Sequence, residues 1–422
     1  MFSLNTVLFV CAIFAVLYAP RAFAWFASLF PQKRLYNDKK NKLALFIPAR
    51  NEGKNIIPLL ESIKAQTYDA DCFDTFIAVK DPEDPVYEYA KIVNAEVYCD
   101  VTQTCKGDCT DYTFKKILEK YPKKYDGFII VDADCLLEKT FLEEMNNAMA
   151  SGADVINAKK RVRNYYQDGR KNSNLVTACN GLIWTFMDDM GNRFRSDHNL
   201  TTMTVTTGIL FTRKVVEEMN GWSYRKTLTE DMEFCHDSIL KNRKCFYYSY
   251  AMIYMEEAPS LAETNKRRSR WMHGLTHSNY IYFADLIKNR QNKPVVNFYF
   301  MFSLWFVYLF VATLLGMAAI NLVCTALAIG FSVPVNWEYV ISAGAAVFAI
   351  YAAFFILTAV ALFINRKDIK LTKLGFLAVL FVHPVFYMGY IPIVAKAIVS
   401  KNDKQWDAIA RVQTDSSEVF SE

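Results

Sequence analysis

The sequence lacks the short motifs that identify the commonest nucleotide-binding folds. It has no Gly-x-Gly-x-x-Gly run, which disfavours a dinucleotide site, and no Walker A run, which disfavours a P-loop ATPase. The net charge of +5 is not gathered in one basic tract, so no nucleic-acid partner is expected. Ten cysteines are scattered along the chain, and no second pair or histidine spacing joins Cys105 and Cys109 in a zinc site. Reduced thiols in a cytosolic domain are the simplest interpretation.

Charged residues are absent from four long stretches, residues 1–20, 295–331, 339–364 and 374–395. Each is at least as long as the roughly 20 residues that a membrane-spanning helix needs. The first stretch lacks the basic segment that opens a signal peptide, and Arg21, Lys33 and Arg34 follow it. We therefore predict an uncleaved transmembrane anchor at residues 3–30, with the next domain in the cytoplasm.

The three C-terminal stretches predict at least three transmembrane helices, with a basic cytoplasmic loop between Arg366 and Lys373. The expected domains are an N-terminal transmembrane helix (1–30), a cytoplasmic domain (31–290), a C-terminal transmembrane region (291–400) and a polar tail (401–422). The side of the membrane on which the tail lies is open. Three complete spans place it outside, whereas a kinked or re-entrant last segment returns it to the cytoplasm.

Short apolar strands alternate with helices in the charge-rich middle of the chain. Strands are predicted at residues 43–48, 75–79, 95–99, 128–131 and 154–158, with helices between them and further helices at 175–190 and 232–241. This alternation predicts an α/β domain with a mostly parallel sheet and helices on both faces. A later β-rich run at 204–211 contains Gly208, which suggests close approach of a ligand or another backbone.

The strand at 128–131 leads into Asp132-Ala133-Asp134. Positions i and i+2 of an extended chain point to the same side, so both carboxylates can face one point beyond the carboxyl end of the strand. Open α/β sheets bind their ligands at that edge. Two such oxygen ligands suit Mg²⁺ or Mn²⁺ holding a diphosphate. A simple surface turn is the alternative, because Asp favours turns.

Two later segments each allow two interpretations. Thr229-Glu230-Asp231 is typical of a capped helix start, where the helix dipole favours acids, but it also places carboxylates at a candidate site. The basic run from Lys266 to Arg270, followed by Trp271, is typical of a juxtamembrane cluster that attracts anionic lipid. The same run could instead bind phosphates through its arginines.

The order of these segments is more informative than any one of them. It runs Asp132-Ala133-Asp134, Thr207-Gly208, Thr229-Glu230-Asp231, Arg267-Arg268-Ser269-Arg270-Trp271, and then membrane helices. This order resembles the membrane-integrated family 2 glycosyltransferases of GT-A fold, which include cellulose, chitin, hyaluronan and poly-N-acetylglucosamine synthases. The resemblance covers residues 43–274 by motif and the whole chain by layout. It departs at Arg267, where the family usually has Gln and where lipid enzymes related to ceramide glucosyltransferase accept Arg.

The resemblance implies a GT-A domain, with a mixed Rossmann-like sheet, joined to transmembrane helices. It also implies a role for each matched residue. Asp81 is the nearest candidate for the uracil contact, in a loop that departs from the family pattern. The implied donor-binding residues are Pro48, Ala49, Arg50, Glu52, Asp81, Lys106, Asp132, Arg267 and Arg268; the implied metal ligands are Asp132 and Asp134; the implied catalytic residues are Glu230, Asp231, Arg270 and Trp271.

The implied chemistry is sugar transfer from a UDP-sugar. Mg²⁺ or Mn²⁺ would stabilise the departing diphosphate, and Asp231 would take the proton of the acceptor hydroxyl. One base and one direct displacement imply inversion, so an α-linked donor gives a β-linkage. Trp271 would pack against a sugar ring, although an anchor at the membrane interface explains it equally well.

Three functions agree with the sequence. The first is processive synthesis of a β-glycan that passes through the membrane helices, and the second is transfer of one sugar to a membrane lipid. The third, a membrane receptor or transporter that binds nucleotide without turnover, ranks lowest because the C-terminal stretches lack charges. The expected partners are a UDP-sugar donor, a growing glycan or lipid acceptor, and the lipid bilayer. The resemblance implies a multi-pass protein of a bacterial plasma membrane with its catalytic domain in the cytoplasm.

Overall fold

The computed structural model describes residues 1–165, 173–289, 293–369 and 371–400. Its strands are β1 (Leu43–Pro48), β2 (Phe73–Val79), β3 (Glu96–Cys99), β4 (Gly127–Ile130), β5 (Leu136–Leu137), β6 (Val155–Val162), β7 (Ile209–Thr212) and β8 (Cys245–Met255). Its α-helices are α1 (Leu4–Trp25), α2 (Ile57–Lys64), α3 (Val86–Tyr89), α4 (Lys106–Lys120), α5 (Phe141–Met149), α6 (Leu175–Trp184), α7 (Arg193–Asp197), α8 (Arg213–Met219), α9 (Glu230–Leu240), α10 (Leu261–Lys288), α11 (Pro294–Gly330), α12 (Trp337–Ile364), α13 (Lys373–Met388) and α14 (Tyr390–Val399). A π-helix, Thr185–Asn192, joins α6 to α7.

The strands form one mixed sheet in the order β3–β2–β1–β4–β7–β6–β8–β5. The β3–β2–β1–β4 half is parallel, as the alternation of strands and helices predicts. Beyond β4 the sheet becomes mixed, because β7 runs antiparallel to both β4 and β6, and β5 runs antiparallel to β8. The expectation of a mostly parallel sheet therefore holds for one half only, and the expectation of a mixed sheet is confirmed.

Apolar side chains alternate between the two faces of the central strands. Leu45 of β1 and Ile129 of β4 belong to a core that includes residues of α2 and α5. Phe46 and Phe128, their chain neighbours, belong to a second core that includes residues of α4, α8 and α9. Both faces of the sheet are therefore covered, and polar chemistry is left to the loops at the strand ends.

Gly208 lies just before β7 with φ of +64°, a left-handed conformation that favours glycine. A Cβ at this position would lie 2.8 Å from Cδ1 of Ile253 in β8. The close approach predicted at Gly208 is thus made by side chains of β8 and of the adjacent strand β6, whose Ala158 Cβ would lie 3.2 Å away. Only residues 209–212 of the predicted β-rich run form a strand.

The predicted helix at 175–190 is divided into α6, the π-helix and α7. The wider π turn carries Asp188 and Asn192, both buried. The Asp188 carboxylate accepts a hydrogen bond of 3.0 Å from the Lys160 backbone in β6. The Asn192 amide donates to the Met203 carbonyl at 2.8 Å and accepts from the Met203 N–H at 2.7 Å. Polar residues that a uniform amphipathic helix would expose are therefore used inside the protein.

Four helical segments are long and apolar enough to cross a membrane: Leu4–Trp25, Leu304–Gly330, Trp337–Ile364 and Lys373–Val399. The first two are joined by a ring contact of 4.0 Å between Phe14 and Phe310. They are also joined at the chain start, where the Asn321 side chain accepts from the Phe2 N–H at 3.0 Å and donates to the Phe2 carbonyl at 2.8 Å.

The fourth segment is bent at Gly389, where α13 ends and α14 begins. Its beginning follows the loop that contains Asp368, whose carboxylate pairs with Lys159 of β6 at 2.6 Å. At its other end, the Ser400 hydroxyl lies 2.9 Å from Nε2 of His273 in α10. Both ends of the segment therefore lie beside elements of the sheet domain. The predicted polar tail, 401–422, is outside the described residues.

A buried ionic cluster fastens the loop after α12 to the sheet. Besides Asp368, Lys159 contacts Asp189 of the π-helix at 3.3 Å and donates to the Asn365 side chain at 3.2 Å. The Asn365 amide also donates to Asp189 at 2.7 Å, and Arg161 pairs with Asp368. Each buried charge in this cluster has an opposite charge beside it, as burial in a low-dielectric interior requires.

Candidate active site

Lys106 and Asp132 meet at the carboxyl edge of the parallel half of the sheet. Lys106 is the first residue of α4, and its Nζ lies 2.5 Å from Oδ1 of Asp132. The same ammonium donates to the Thr206 carbonyl at 2.8 Å, and the Asp132 N–H donates to the Thr207 hydroxyl at 3.0 Å. Burial lowers the pKa of Lys106, but the carboxylates of Asp132 and Glu230 outweigh burial and raise this pKa overall. A fixed positive charge thus stands where a ligand of this sheet edge would bind.

The start of α9 supplies a second acidic group to the same place. Glu230 accepts a hydrogen bond of 2.8 Å from the hydroxyl of Thr206, the residue whose carbonyl binds Lys106. The Asp231 carboxylate accepts from the Met232 N–H at 2.8 Å and so caps its own helix. Thr229 occupies the predicted cap position, but its buried hydroxyl has no hydrogen-bond partner in the described part of the chain.

Burial raises the pKa of Asp231 to about 7, and the adjacent Glu230 carboxylate acts in the same direction. Lys106 and Arg270 oppose this shift. A carboxyl group with a pKa near neutrality can hold or release a proton under ordinary conditions, which is the property of a general base.

Gly274 brings α10 against the start of α9. A Cβ on Gly274 would lie 2.4 Å from Oγ1 and Cγ2 of Thr229, which is far inside van der Waals contact. Glycine therefore permits the close approach of the two helices. Arg270 is four residues before Gly274, one turn along the same face of α10, which brings its charge to Asp231.

Arg267 and Trp271 lie one turn apart on α10 and contact each other. Arg267 forms an ion pair with the buried Glu257 carboxylate, and its guanidinium carbon lies 4.9 Å from the centre of the Trp271 ring. The other Glu257 oxygen accepts a hydrogen bond of 2.6 Å from the Trp184 indole N–H. Burial lowers the pKa of Arg267 to about 10, while Asp134 is among the groups that oppose the shift. Arg267 is thus held within electrostatic range of the Asp132-Ala133-Asp134 loop.

Arg268 points elsewhere, because successive residues of a helix are about 100° apart around its axis. It donates to the Phe386 carbonyl at 3.1 Å and lies over the rings of Phe386 and Tyr390, at 4.0 and 4.1 Å from their centres. It therefore links α10 to α13 and α14, and we do not include it in the phosphate-binding group below.

The predicted donor-binding loops follow β1 and β2. Pro48 ends β1, and the buried Ala49 donates its backbone N–H to the Ala78 carbonyl at 2.8 Å, extending the pairing with β2. The Arg50 guanidinium donates to the Thr104 carbonyl at 3.2 Å, just before α4.

The two other predicted donor-binding acids differ in exposure. The Glu52 side chain is buried, whereas Asp81 is exposed in the turn after β2 and accepts from the Glu83 N–H at 2.9 Å.

Comparison with known proteins assigns the chain to a family. The sequence profile of "Glycosyl transferase family group 2" matches residues 127–365, which is more than half of the chain. The chain belongs to this family. The matched segment contains Asp132, Asp134, Asp231, Arg270 and Trp271, and it extends to the end of α12.

One solved structure supports the fold of this family 2 glycosyltransferase, and a second has lower similarity. The mannosyltransferase PcManGT from Pyrobaculum calidifontis, in complex with GDP-Man and Mn²⁺, has a TM-score of 0.55 at 14% identity, over 93% of this chain and 100% of that chain. Residues 1–349 of TarS from S. aureus, in complex with UDP-GlcNAc, have a TM-score of 0.42 at 13% identity, over 82% of this chain and 92% of that chain. No curated protein matches the sequence. The predicted fold, a GT-A domain with helical membrane segments, is confirmed.

Few of the described side chains of this glycosyltransferase could coordinate a divalent cation. Among the residues that the structure describes, no three His, Cys, Asp or Glu side chains form a metal cluster. Asp132 and Asp134, at the sheet edge, nevertheless fit Mg²⁺ or Mn²⁺, because such ions are often held by one or two carboxylates together with substrate phosphates and water. The ion pair with Lys106 places a positive charge beside Asp132.

Two contributors to the site were missed by the sequence analysis. Glu257, the partner of Arg267, follows β8 in a Glu-Glu pair that no pattern distinguished from a polar loop. Thr206 connects Lys106 to Glu230 but was read only as part of a β-rich run. Glu257 and Thr206 both contribute through tertiary contacts. For Thr206 the sequence offered one signal, its position next to Thr207-Gly208.

Proposed function

We propose that this enzyme is an inverting, metal-dependent transferase that moves a sugar from a UDP-sugar to an acceptor hydroxyl at the membrane surface. The observation that carries the proposal is the position of Asp231, a carboxyl group of pKa about 7, beside the paired charges of Lys106 and Asp132. A candidate base and a candidate diphosphate-binding group thus lie within electrostatic range of each other, as direct displacement of a nucleoside diphosphate requires.

The donor side would bind the diphosphate through Lys106, Arg270 and Arg267. The ammonium of Lys106 and the guanidinium of Arg270 give charge-assisted hydrogen bonds to phosphate oxygens. Asp132 and Asp134 would hold the cation, which supplies electrostatic stabilisation of the departing diphosphate. Uracil remains the proposed base of the donor, with GDP-sugars as the competing class, because PcManGT was solved with GDP-Man.

The acceptor side is organised by Asp231. In the proposed step the acceptor oxygen forms a bond to the anomeric carbon while the bond from that carbon to the phosphate oxygen breaks. The hydroxyl proton passes to the Asp231 carboxylate, and the electron pair leaves with the nucleoside diphosphate. Attack from the face opposite the leaving group inverts the anomeric configuration, and Glu230 keeps the pKa of the base high.

We propose single addition rather than processive synthesis. Buried apolar residues of α11 and α12, among them Leu314, Ala346 and Ile350, pack into one core between the membrane helices. The same core also contains the aromatic residues Phe310, Phe354 and Tyr387, so its lining is compatible with either function. Arg267, at a position where lipid enzymes related to ceramide glucosyltransferase accept Arg, supports single addition. Processive β-glycan synthesis, the first function that the sequence suggests, is the second candidate here, because Trp271 follows Arg270 on α10 as a sugar-packing residue would.

We further propose that the sheet domain faces the cytoplasm of a bacterial cell. The basic residues that follow the first apolar stretch support this orientation.

The test is a transfer assay with the full chain in detergent, Mn²⁺ or Mg²⁺, and a panel of UDP- and GDP-sugars. Nucleotide release is followed, and the product is sized by mass spectrometry. Release of UDP with one added sugar on a lipid supports the proposal, while a ladder of lengthening glycans establishes the processive candidate. Release only from GDP-sugars would overturn the assignment of uracil, and nucleotide binding without release would overturn the transferase assignment.

A further inference from the structure

An open groove of about 620 Å³ lies between α10 and the beginning of α11. Its walls are formed by one face of each helix, with Tyr280, Phe283 and Ala284 on α10 and Phe298, Phe302 and Trp305 on α11. These residues recur at helical spacing, so two helix faces line one continuous surface. Its volume lies within the 300–1,000 Å³ that is usual for small-molecule sites.

The groove opens toward the region where lipid is expected. Trp305 belongs both to the groove and to the apolar segment Leu304–Gly330, which is long enough to cross a membrane. The side chains of Tyr280 and Phe283 are 69% and 49% exposed, and Leu309 of the adjoining segment is 66% exposed. The groove is therefore continuous with the surface of a helix that is suited to a bilayer, and aromatic residues are typical of the interface depth.

The inner end of the groove is polar. Asn279 lines it, and its buried side-chain amide makes no hydrogen bond of ordinary geometry in the part of the chain that the structure describes. Burial lowers the pKa of the fully buried His236 to about 4 overall, although the Asn279 amide interacts with that imidazole and acts to raise its pKa. Nδ1 of His236 lies 2.8 Å from the Ser278 hydroxyl. The His236 ring stacks against Phe302 with 5.6 Å between ring centres. Buried polar groups without a hydrogen bond of ordinary geometry are uncommon and call for a ligand or water.

The groove also lies near the proposed catalytic base. His236 is five residues after Asp231 on α9, about 8 Å along the helix axis at 1.5 Å per residue. Asn279 is nine residues after Arg270 on α10, about 14 Å by the same rise. The two helices that carry the base and the phosphate-binding arginine therefore also form the inner end of the groove.

We propose that this groove binds the apolar chain of the acceptor, and that the acceptor is an amphipathic membrane lipid. The chain lies between α10 and α11, the polar group that joins the chain to the head hydrogen-bonds Asn279, and the head hydroxyl reaches Asp231. This proposal rests on the proposed transferase function and names its acceptor class. An apolar surface continuous with a candidate membrane-spanning helix accounts for the chain, and the buried amide of Asn279 at its inner end accounts for the polar group of the ligand.

The experiment uses the full chain in phosphatidylcholine nanodiscs and a diacylglycerol with a photoreactive diazirine on one acyl chain. After irradiation, labelled peptides are mapped by mass spectrometry. In parallel, transfer of radioactive sugar from the UDP-sugar into the organic phase is measured with unmodified diacylglycerol and with a total lipid extract. Binding of UDP is measured by calorimetry as an independent reading of the donor site.

Ala284→Trp fills the groove, and Ile287→Trp is the matched control, because Ile287 is exposed on the same helix outside the groove lining. We expect label on the two helix faces of the wild type and the control. Ala284→Trp should lose about tenfold in labelling and in lipid-phase sugar, with UDP binding unchanged. Equal labelling of Ala284→Trp and the wild type, or lipid-phase sugar that Ala284→Trp does not lower, would overturn the proposal.

Asn279→Leu separates an amphipathic ligand from a purely apolar one. It should lower diacylglycerol labelling about tenfold, the size of a lost hydrogen bond to a buried group, and leave labelling by a diazirine-labelled alkane unchanged. Equal loss with both probes would contradict the role given to the amide.

A different combination of results is expected if the chain is not a transferase. In that case Ala284→Trp still lowers the labelling, while neither the wild type nor any variant transfers sugar. The acceptor role is then overturned and lipid binding alone remains.

Discussion

The two halves of the sheet carry charge in opposite ways. In the parallel half, the central strands β1 and β4 carry no charged residue, and the charges of Lys106 and Asp132 lie in the segments after the strand ends. In β6 the charges lie within the strand itself, where Lys159 and Lys160 are buried. Lys160 faces Asp188 at 3.6 Å, and Lys159 lies between Asp189 and Asp368.

This difference distinguishes a candidate binding site at the edge of the sheet from a structural connection in β6, which we call the joint. A charge at the sheet edge can exchange its partner for a ligand at little cost, because water still reaches it. A charge buried in a strand must keep its partner, because removing one member of a buried pair leaves the other uncompensated. We therefore interpret the first half as the catalytic edge and β6 as the place where the membrane helices are fastened to the sheet.

Removing the proposed base should give the largest effect. We expect Asp231→Asn to lower kcat about 10²- to 10⁴-fold, the usual contribution of general base catalysis, with UDP binding unchanged. Glu217→Gln, an exposed change on α8, is the control. An Asp231→Asn enzyme with nearly full activity would show that the catalytic edge has another base.

Breaking the joint should affect stability and leave the chemistry intact. Asp368→Asn removes the partner of Arg161 and one of the two partners of Lys159, at a cost of at most about 3 kcal/mol by the behaviour of other buried pairs. Thermal melting of the detergent-solubilised protein measures this loss, and kcat at low temperature should stay within about twofold. The exposed neighbour Lys367, changed to Gln, is the control. A large loss of kcat without loss of stability would mean that the joint takes part in catalysis.

Between these two regions, Gly274 sets the position of α10. Gly274→Ala forces its new Cβ into Thr229, so α10 must move away from Asp231 and carry Arg270 with it. Displacements of about 1 Å can cost about 10²-fold in rate. Steady-state kinetics should show this loss, and Thr229→Gly in the same chain should restore part of it because it removes the clashing atoms. Failure of the double variant to recover would assign Gly274 another role.

The pH dependence offers a smaller and graded test of the catalytic edge. The base must be ionised, so kcat/KM should reach a plateau above about pH 7 and fall about tenfold for each pH unit below it.

The contribution of Asp231 to the free energy of unfolding changes with pH in the opposite direction. A folded-state pKa above the ordinary value of 3.8 gives stability that is present below that value and lost as the pH rises through about 7. Asp231→Asn should therefore melt higher than the wild type at pH 8, and an unchanged melting temperature would argue against the raised pKa.

The smallest functional effect is expected at the tail. Both ends of the fourth apolar segment lie beside the sheet domain, so a tag after residue 422 should be protected in sealed vesicles whenever the sheet domain is protected. Activity should be unchanged by the tag. Protease access to the tag from the opposite side would indicate that the segment crosses the membrane completely.

Local patterns were sufficient to predict much of the fold. The apolar runs and the alternation of strands and helices predicted β1 to β4 and the helical membrane segments, because burial of apolar side chains is encoded in neighbouring residues. They did not predict the antiparallel β7 or the π-helix, because these depend on contacts between distant segments. The motif order predicted the family, which the profile match confirmed.

The sequence by itself determined which residues are candidates for the chemistry of sugar transfer: two spaced aspartates, an acidic helix start and an arginine-tryptophan segment. Tertiary structure decided how they are used. It paired Lys106 with Asp132, raised the pKa of Asp231 by burial, and directed Arg267 and Arg268 to different partners. Motif spacing acts along the chain, whereas desolvation and charge pairing depend on which distant groups the fold brings together.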